Sequence, residues 1–453
     1  MLKRLTRLGL TALALLTALA VVPAASAAAP QGDGKLCFPR SGKLKVAVFS
    51  DVQTNQNVPR DLLDDLTAVL DLEKPDLVVY LGDQVEGKHP YIHLGDSEAH
   101  VKSVIDQVLA PVVERGIPFT AVFGNHDAQD AGVSKEVQLA YYQTFPGCLM
   151  ADDDPSLPGC GNHHLLYYSP DGSRPVLDLF FLDSLEYDGG GYGCVSKEQI
   201  NWQRTVSSTL EQANGAPVPT VNFQHIIVPE VYNTFTQVRD KHEEGAFAGK
   251  GIGKGNWYTA PAGMEGLEEA PCPPNYSNGQ FAAWRESGNV KAAFFGHDHL
   301  NSFTARLDGI DLAACPGATY TSYNNDACRG VRILEFTEEG IAQGRYDTRI
   351  LRAADLGADR SAVRQWFSRP HLWGLELPAA VLVLIVLNAL FWPVFLKARK
   401  KKKAKAAGAE EPKAEEASQA EDTPKEEAPA AKALPFRRKK RKRVEKEAAE
   451  SVK

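Results

Sequence analysis

From residue 43 onward, short apolar runs alternate with amphipathic segments. Residues 45–49 read as a strand that ends at Ser50-Asp51, and 60–72 carries Leu62, Leu63, Leu66, Val69 and Leu70 at helical spacing. A second strand at 77–81 ends at Gly82-Asp83, a helix follows at 97–115, and a third strand at 119–123 ends at Gly124-Asn125-His126-Asp127. This βαβαβ order predicts parallel pairing, which gathers function at the carboxyl ends of strands. Helices are predicted at 133–145 and 197–210, and strands at 165–168, 176–182, 218–223, 310–314 and 331–336. The strand at 218–223 leads into Gln224-His225, and the apolar run 290–295 delivers Gly296-His297-Asp298-His299. Residues 246–277, rich in Gly and Pro, are expected to form an irregular surface excursion.

The two ends of the chain follow a different pattern. Residues 1–27 place Lys3, Arg4 and Arg7 before an apolar run and close on Ala25-Ser26-Ala27, the form of a secretory signal peptide. Residues 372–396 are almost wholly apolar and long enough to cross a bilayer as one C-terminal transmembrane helix. Lys397, Arg399 and the lysines 400–403 follow at once, so the positive-inside rule keeps 397–453 in the cytoplasm. That tail is Ala, Glu, Lys and Pro and is expected to be disordered. The expectation is a single-pass type I protein of the cell membrane, with its main domain at 43–352 outside the cytoplasm.

Charge sharpens this division. The 453-residue chain has a net charge of −7, but 19 basic against 11 acidic residues in the tail and the three basic residues of 1–27 leave the exported part near −18. A body this acidic argues against nucleic acid as partner or substrate. The basic run 437–443 suits anionic lipid headgroups instead. All seven cysteines fall in the exported part, where Cys148 with Cys160, Cys315 with Cys328, and Cys194 with Cys272 are expected to close disulfide loops. The glycine-rich 249–255 lacks the Ser or Thr of a P-loop and reads as a loop whose lysines lie near a substrate phosphate.

Asp51, Asp83, Asn125, His126, Asp127, His225, His297 and His299 all stand at predicted strand ends. Such a mixture of carboxylate, amide and imidazole suits Mn, Fe or Zn at paired positions. Two divalent or trivalent ions about 3.5–4 Å apart would hold an attacking hydroxide and the phosphoryl oxygens of an ester. A histidine outside the ligand set would then protonate the leaving oxygen.

The ordered motifs, Asp51-Val52-Gln53, Gly82-Asp83, Gly124-Asn125-His126-Asp127, His225 and Gly296-His297-Asp298-His299, resemble the calcineurin-like metallophosphoesterase superfamily over about residues 43–350. Phe223 to Glu230, Gly296 to Asn301 and Gly330-Val331-Arg332 are similar to its low-molecular-weight purple-acid-phosphatase-like branch. The resemblance implies an α/β (α+β) four-layer fold, two mixed β-sheets packed face to face and flanked by helices. It also implies that Asp83 bridges the ions, Asp51 and His299 bind the first, and Asn125, His225 and His297 bind the second. His126 is then the general acid, with Asp127 its orienting partner. Gln53 replaces the histidine of the family's first motif, D-x-H, and is a neutral, poorer ligand. Glu86 stands where true purple acid phosphatases carry an iron-binding tyrosine, so no tyrosinate–iron colour is expected. Two readings follow: a hydrolase of small phosphate mono- or diesters, or a non-catalytic metal-binding envelope protein that keeps the fold to bind a partner.

Overall fold

The computed structural model describes residues 34–356, together with isolated helical positions at Val381, Leu382, Ile385, Phe391 and Trp392. The expected signal peptide, nearly all of the expected membrane span and the tail lie outside the described residues. Among the described residues no helix is long and apolar enough to cross a membrane. The chain divides into two compact units between Val381 and Leu382, and the body lies wholly in the first.

Two mixed sheets form the centre of the body. The five-stranded sheet runs in the order Asp347–Arg352, Gly330–Thr337, Lys43–Phe49, Leu77–Leu81, Phe119–Val122. Its last three strands are parallel, as the βαβαβ pattern predicts, and Gly330–Thr337 joins antiparallel to Lys43–Phe49. The seven-stranded sheet runs Leu36–Cys37, His163–Tyr168, Pro175–Leu182, Thr220–Gln224, Val290–Phe295, Ile310–Ala314, Thr304–Leu307. Its four central strands are parallel to one another.

Both faces of each sheet are covered, which is why these strands read as near-continuous apolar runs. Along Lys43–Phe49, Val46 and Val48 point between the sheets, where they join Leu179, Phe181, Phe223 and Phe294 of the opposing sheet. Ala47 and Phe49 point the other way, into a layer shared with Leu62, Leu66 and Val69 and with Val101, Val104 and Ile105. Those residues come from the helices Arg60–Glu73 and Ser97–Glu114, whose apolar stripes the sequence marks. Beyond the seven-stranded sheet, Phe281 and Trp284 of the helix Gln280–Ser287 pack with Phe295 and Leu312. The layers are therefore helix, sheet, sheet, helix. Arg332 ties the two sheets together: it is buried in Gly330–Thr337 and donates to the carbonyls of Ser302 and Ala314 at 2.7 and 2.8 Å.

Local chemistry sets the helix ends. Asp96 accepts from the Ala99 N–H, and Ser196 forms a reciprocal capping box with Gln199. The excursion departs from expectation: Thr236–Val238, Phe247–Ala248 and Trp257–Thr259 form a small three-stranded sheet. Its Tyr258 and Phe247 lock onto Tyr232 and Phe235, so this stretch has a core of its own. The expected disulfides are not made, and all seven cysteines are free. Cys148 and Cys160 are anchored to different elements. Cys148 bridges to Phe119 at the edge of the five-stranded sheet, whereas the Cys160 N–H donates to Asp183 at the end of Pro175–Leu182.

Candidate metal centre

Every ligand candidate stands just beyond the carboxyl end of a strand, and the two sheets contribute to one site. Asp51, Asp83 and Asn125 follow the parallel strands of the five-stranded sheet, and His225, His297 and His299 follow neighbouring strands of the other. The His225 Nε2 lies 3.2 Å from Asp83 Oδ2 and 3.8 Å from Asp51 Oδ1. The His299 Nε2 lies 3.4 Å from Asp51 Oδ1. Ligand atoms of Asp83, His225 and His297 all fall within 4.8 Å of one another.

The backbone bends sharply to bring these groups together. Asp51, Gln53, Asp83 and His297 have φ of 46°, 36°, 51° and 71°, left-handed values that cost about 1–3 kcal/mol each unless the surroundings enforce them. Glycine provides the clearance. A Cβ on Gly82 would stand 2.4 Å from the His225 ring, and one on Gly296 would stand 2.1 Å from Ser50 Oγ. The Gly-Asp and Gly-His motifs are thus packing requirements as well as signatures.

Hydrogen bonds turn the ligand atoms inward. His225 donates from Nδ1 to the Leu81 carbonyl at 2.9 Å, and His299 from Nδ1 to the Tyr323 carbonyl at 2.7 Å, which leaves both Nε2 atoms for a ligand. Asp51 Oδ2 accepts from Ser50 Oγ and from the His297 N–H, leaving Oδ1 free. Asp51 Oδ1, Gln53 Oε1, Asn125 Oδ1 and His225 Nε2 are all buried without a hydrogen-bond partner. Buried polar atoms are normally satisfied, so four orphans on expected ligands are what a cation site requires.

The charges point the same way. Burial disfavours a protonated His225, yet Asp83 and then Asp51 push its pKa up to about 10. Burial, followed by the charge of His225, holds His297 down to about 3. A cation would replace the proton that these carboxylates attract. Oxygen and imidazole donors of this kind fit Mn, Fe or Zn.

His126 lines the cleft in front of these ligands, and its Nδ1 lies 3.0 Å from Asp130 Oδ2 and 3.8 Å from Glu86 Oε1. The Asp130 carboxylate faces this nitrogen, which makes no directed hydrogen bond. The expected partner, Asp127, does something else. Its Oδ2 accepts the N–H groups of Gly124 and Asp83, at 2.7 and 2.9 Å, and its Oδ1 accepts that of Val85 at 2.9 Å. Burial and then the charge of Asp83 raise it to about 7.

A model of the calcineurin-like phosphoesterase family matches residues 44–301. The chain belongs to the calcineurin-like phosphoesterase family. It is 32% identical over 299 residues to "Probable inactive purple acid phosphatase 14" of Arabidopsis thaliana, covering 60% of this chain and 66% of that one. It is also 29% identical over 252 residues to "Phosphatase DCR2" of Saccharomyces cerevisiae, covering 53% of this chain and 38% of that one. The matched part thus spans less than two thirds of either relative. Among solved structures, a dimetal phosphatase from Danio rerio overlaps 68% of this chain and 99% of its own, at a TM-score of 0.40 and 13% identity.

Several residues of this calcineurin-like site were not legible beforehand. Tyr192, Cys272, Asp298, Ser322 and Tyr323 share a cleft of about 220 Å³ with His126, Gln53, Asp83, His297 and His299. Tyr323 stacks on His299 with ring centroids 4.0 Å apart, and Tyr192 meets His297 edge-on at 4.2 Å. Lys250 comes from the glycine-rich loop, as expected, and bonds Glu269 at 3.2 Å. His163 is buried against Phe181 and bonded to Thr120. Its neighbour His164 pairs with Asp178 at 2.9 Å.

Proposed function

We propose that this chain is a membrane-anchored, extracytoplasmic, metal-dependent phosphoesterase acting on small phosphate mono- or diesters. The observation that carries the reading is the set of four orphaned ligand atoms at converging strand ends, one of which, on Gln53, lines the same cleft as His126, Asp83, His297 and His299. When bound, two ions would supply Lewis-acid polarisation of the phosphoryl group and an activated water. Asp51, Gln53 and His299 would hold one ion, Asn125, His225 and His297 the other, and Asp83 both.

The chain's own groups account for the remaining chemistry. Asp130 faces His126 Nδ1, and Nε2 is taken as the proton donor. Hydrolysis adds a water oxygen to phosphorus and breaks the bond to the leaving oxygen, and His126 gives that oxygen its proton. Among the described residues Lys250 is the one Lys or Arg lining the cleft, and it serves as the contact for an anionic ester. The small cleft volume, and Glu86 and Asp298 on its wall, favour compact substrates over long polyanions. The apolar run at 372–396 with its lysine flank supports the membrane anchor, and residues 1–27 support export.

A second reading is a non-catalytic metal-binding envelope protein. Gln53 at a histidine position favours it, as does the word "inactive" in the name of a relative. Metal content of the full-length chain, measured with hydrolysis of a chromogenic monoester and diester in added Mn, separates the two. The enzyme reading expects turnover that His126→Ala lowers by about 10²–10⁴-fold with metal content unchanged. Bound metal with no turnover on either ester would leave the binding protein as the better account.

A further inference from the structure

Tyr187 stands on a short hairpin, Tyr187–Asp188 paired with Gly191–Tyr192, at the edge of the cleft. Its hydroxyl makes three hydrogen bonds. It accepts from Lys88 Nζ at 2.9 Å and from Asn125 Nδ2 at 3.2 Å, and it donates to Asp130 Oδ2 at 3.0 Å. A phenol has one proton and two lone pairs, so all of its capacity is used. The carboxylate takes the only proton and the ammonium takes one lone pair. The remaining lone pair can be satisfied only by the NH₂ end of the Asn125 amide.

This fixes the orientation of the amide chemically. With Nδ2 held by Tyr187, Oδ1 faces the site, and it is buried there without a partner. The reverse orientation would set two oxygens against each other and turn NH₂ toward the cation. We propose that Tyr187 is a positioning residue of the metal centre, whose hydroxyl selects the Asn125 orientation that presents Oδ1 to the second ion. The same hydroxyl braces Asp130 against His126, so one side chain couples a ligand to the proton donor. At the other end of the hairpin, Tyr192 bears on His297, a second ligand of the same ion.

The inference rests on the two-ion reading above, and its test reads binding rather than turnover. Mn(II) is titrated into the full-length chain and followed by calorimetry and by electron paramagnetic resonance. Tyr187→Phe is expected to weaken one of the two Mn sites by about tenfold and to leave the other unchanged. A carboxylate has no wrong end, so in an Asn125→Asp background the same change is expected to shift affinity by less than about twofold. Unchanged Mn affinity in Tyr187→Phe overturns the proposal. So does equal weakening in both backgrounds, which would show that the hairpin acts by packing alone. A wild-type chain that takes up only one Mn overturns this proposal together with the two-ion reading. The expected Mn pattern without turnover counts against the phosphoesterase and supports the role of Tyr187.

Discussion

The carboxylate of Asp127 accepts the backbone N–H of Asp83 at 2.9 Å, so the residue beside the proton donor holds the backbone of the residue expected to bridge two ions. It also takes the N–H groups of Gly124 and Val85, and thereby joins the second and third metal motifs. The sequence neighbour of His126 is structural, and the carboxylate that meets the imidazole is Asp130.

These two aspartates should therefore separate by phenotype. Asp127→Ala leaves three buried donors unsatisfied at about 1–3 kcal/mol each, so its melting temperature should fall by several degrees or more. Asp130→Asn, at the cleft, should melt within about two degrees of wild type and lose about tenfold in kcat, with KM little changed. Thermal melts and steady-state kinetics on the pair decide it. The assignment is wrong if Asp130→Asn is the unstable one and Asp127→Ala melts like wild type.

His163 gives a pH dependence that is separate from the metal site. Burial holds its pKa down to about 4 while the unfolded chain titrates near 6.5. Between those values the unfolded state binds more protons, so stability rises with pH across the window. The loss on going from about pH 7 to pH 4 should approach 3 kcal/mol from this residue alone. His163→Gln removes the titration, so in chelator its denaturation midpoint should fall less steeply on acidification than that of wild type. Parallel slopes would sink the assignment.

The strand ends were legible because parallel strands buried on both faces give near-continuous apolar runs, and each run stops at a polar motif. Asp51, Asp83, Asn125, His225, His297 and His299 could be placed from that alone. Asp130 could not, because only the turns after Asn125 bring its carboxylate back to His126. Tyr187 and Tyr192 flank three glycines, a composition that signals a loop and says nothing of what its tyrosines touch. Spacing misled the cysteine reading: Cys148 and Cys160 are near in sequence, but their backbones answer to different strands. For His163, the Thr120 hydroxyl that satisfies its ring lies on another sheet.

Gly296→Ala tests whether the motif glycines are steric requirements. The added Cβ would meet Ser50 Oγ at 2.1 Å and Asp51 Oδ2 at 2.8 Å, and the Leu81 carbonyl at 3.0 Å leaves no retreat. Overpacking of this kind costs about 1–3 kcal/mol and shifts the side chains it strikes. The expected outcome is a folded chain with a lower melting temperature and weaker metal uptake at the Asp51 side. Metal content equal to wild type would show that the strand end has slack.

Gln53 decides how much of the first site survives. Its Oε1 is buried and unpartnered, its φ of 36° is strained, and its backbone is held by bonds to Asp83 and Thr319. In the proposed two-ion site this amide oxygen is a ligand of the first ion. A neutral oxygen binds more weakly than imidazole to Zn and suits Mn or Mg better. Gln53→Ala should then release one of two bound ions and keep the other, whereas Gln53→His should tighten that same site and shift its preference toward Zn. Competition between Mn and Zn, measured on the full-length chain and both variants, gives the answer. If Gln53→Ala retains both ions at wild-type affinity, the first ion is held by Asp51, Asp83 and His299 alone.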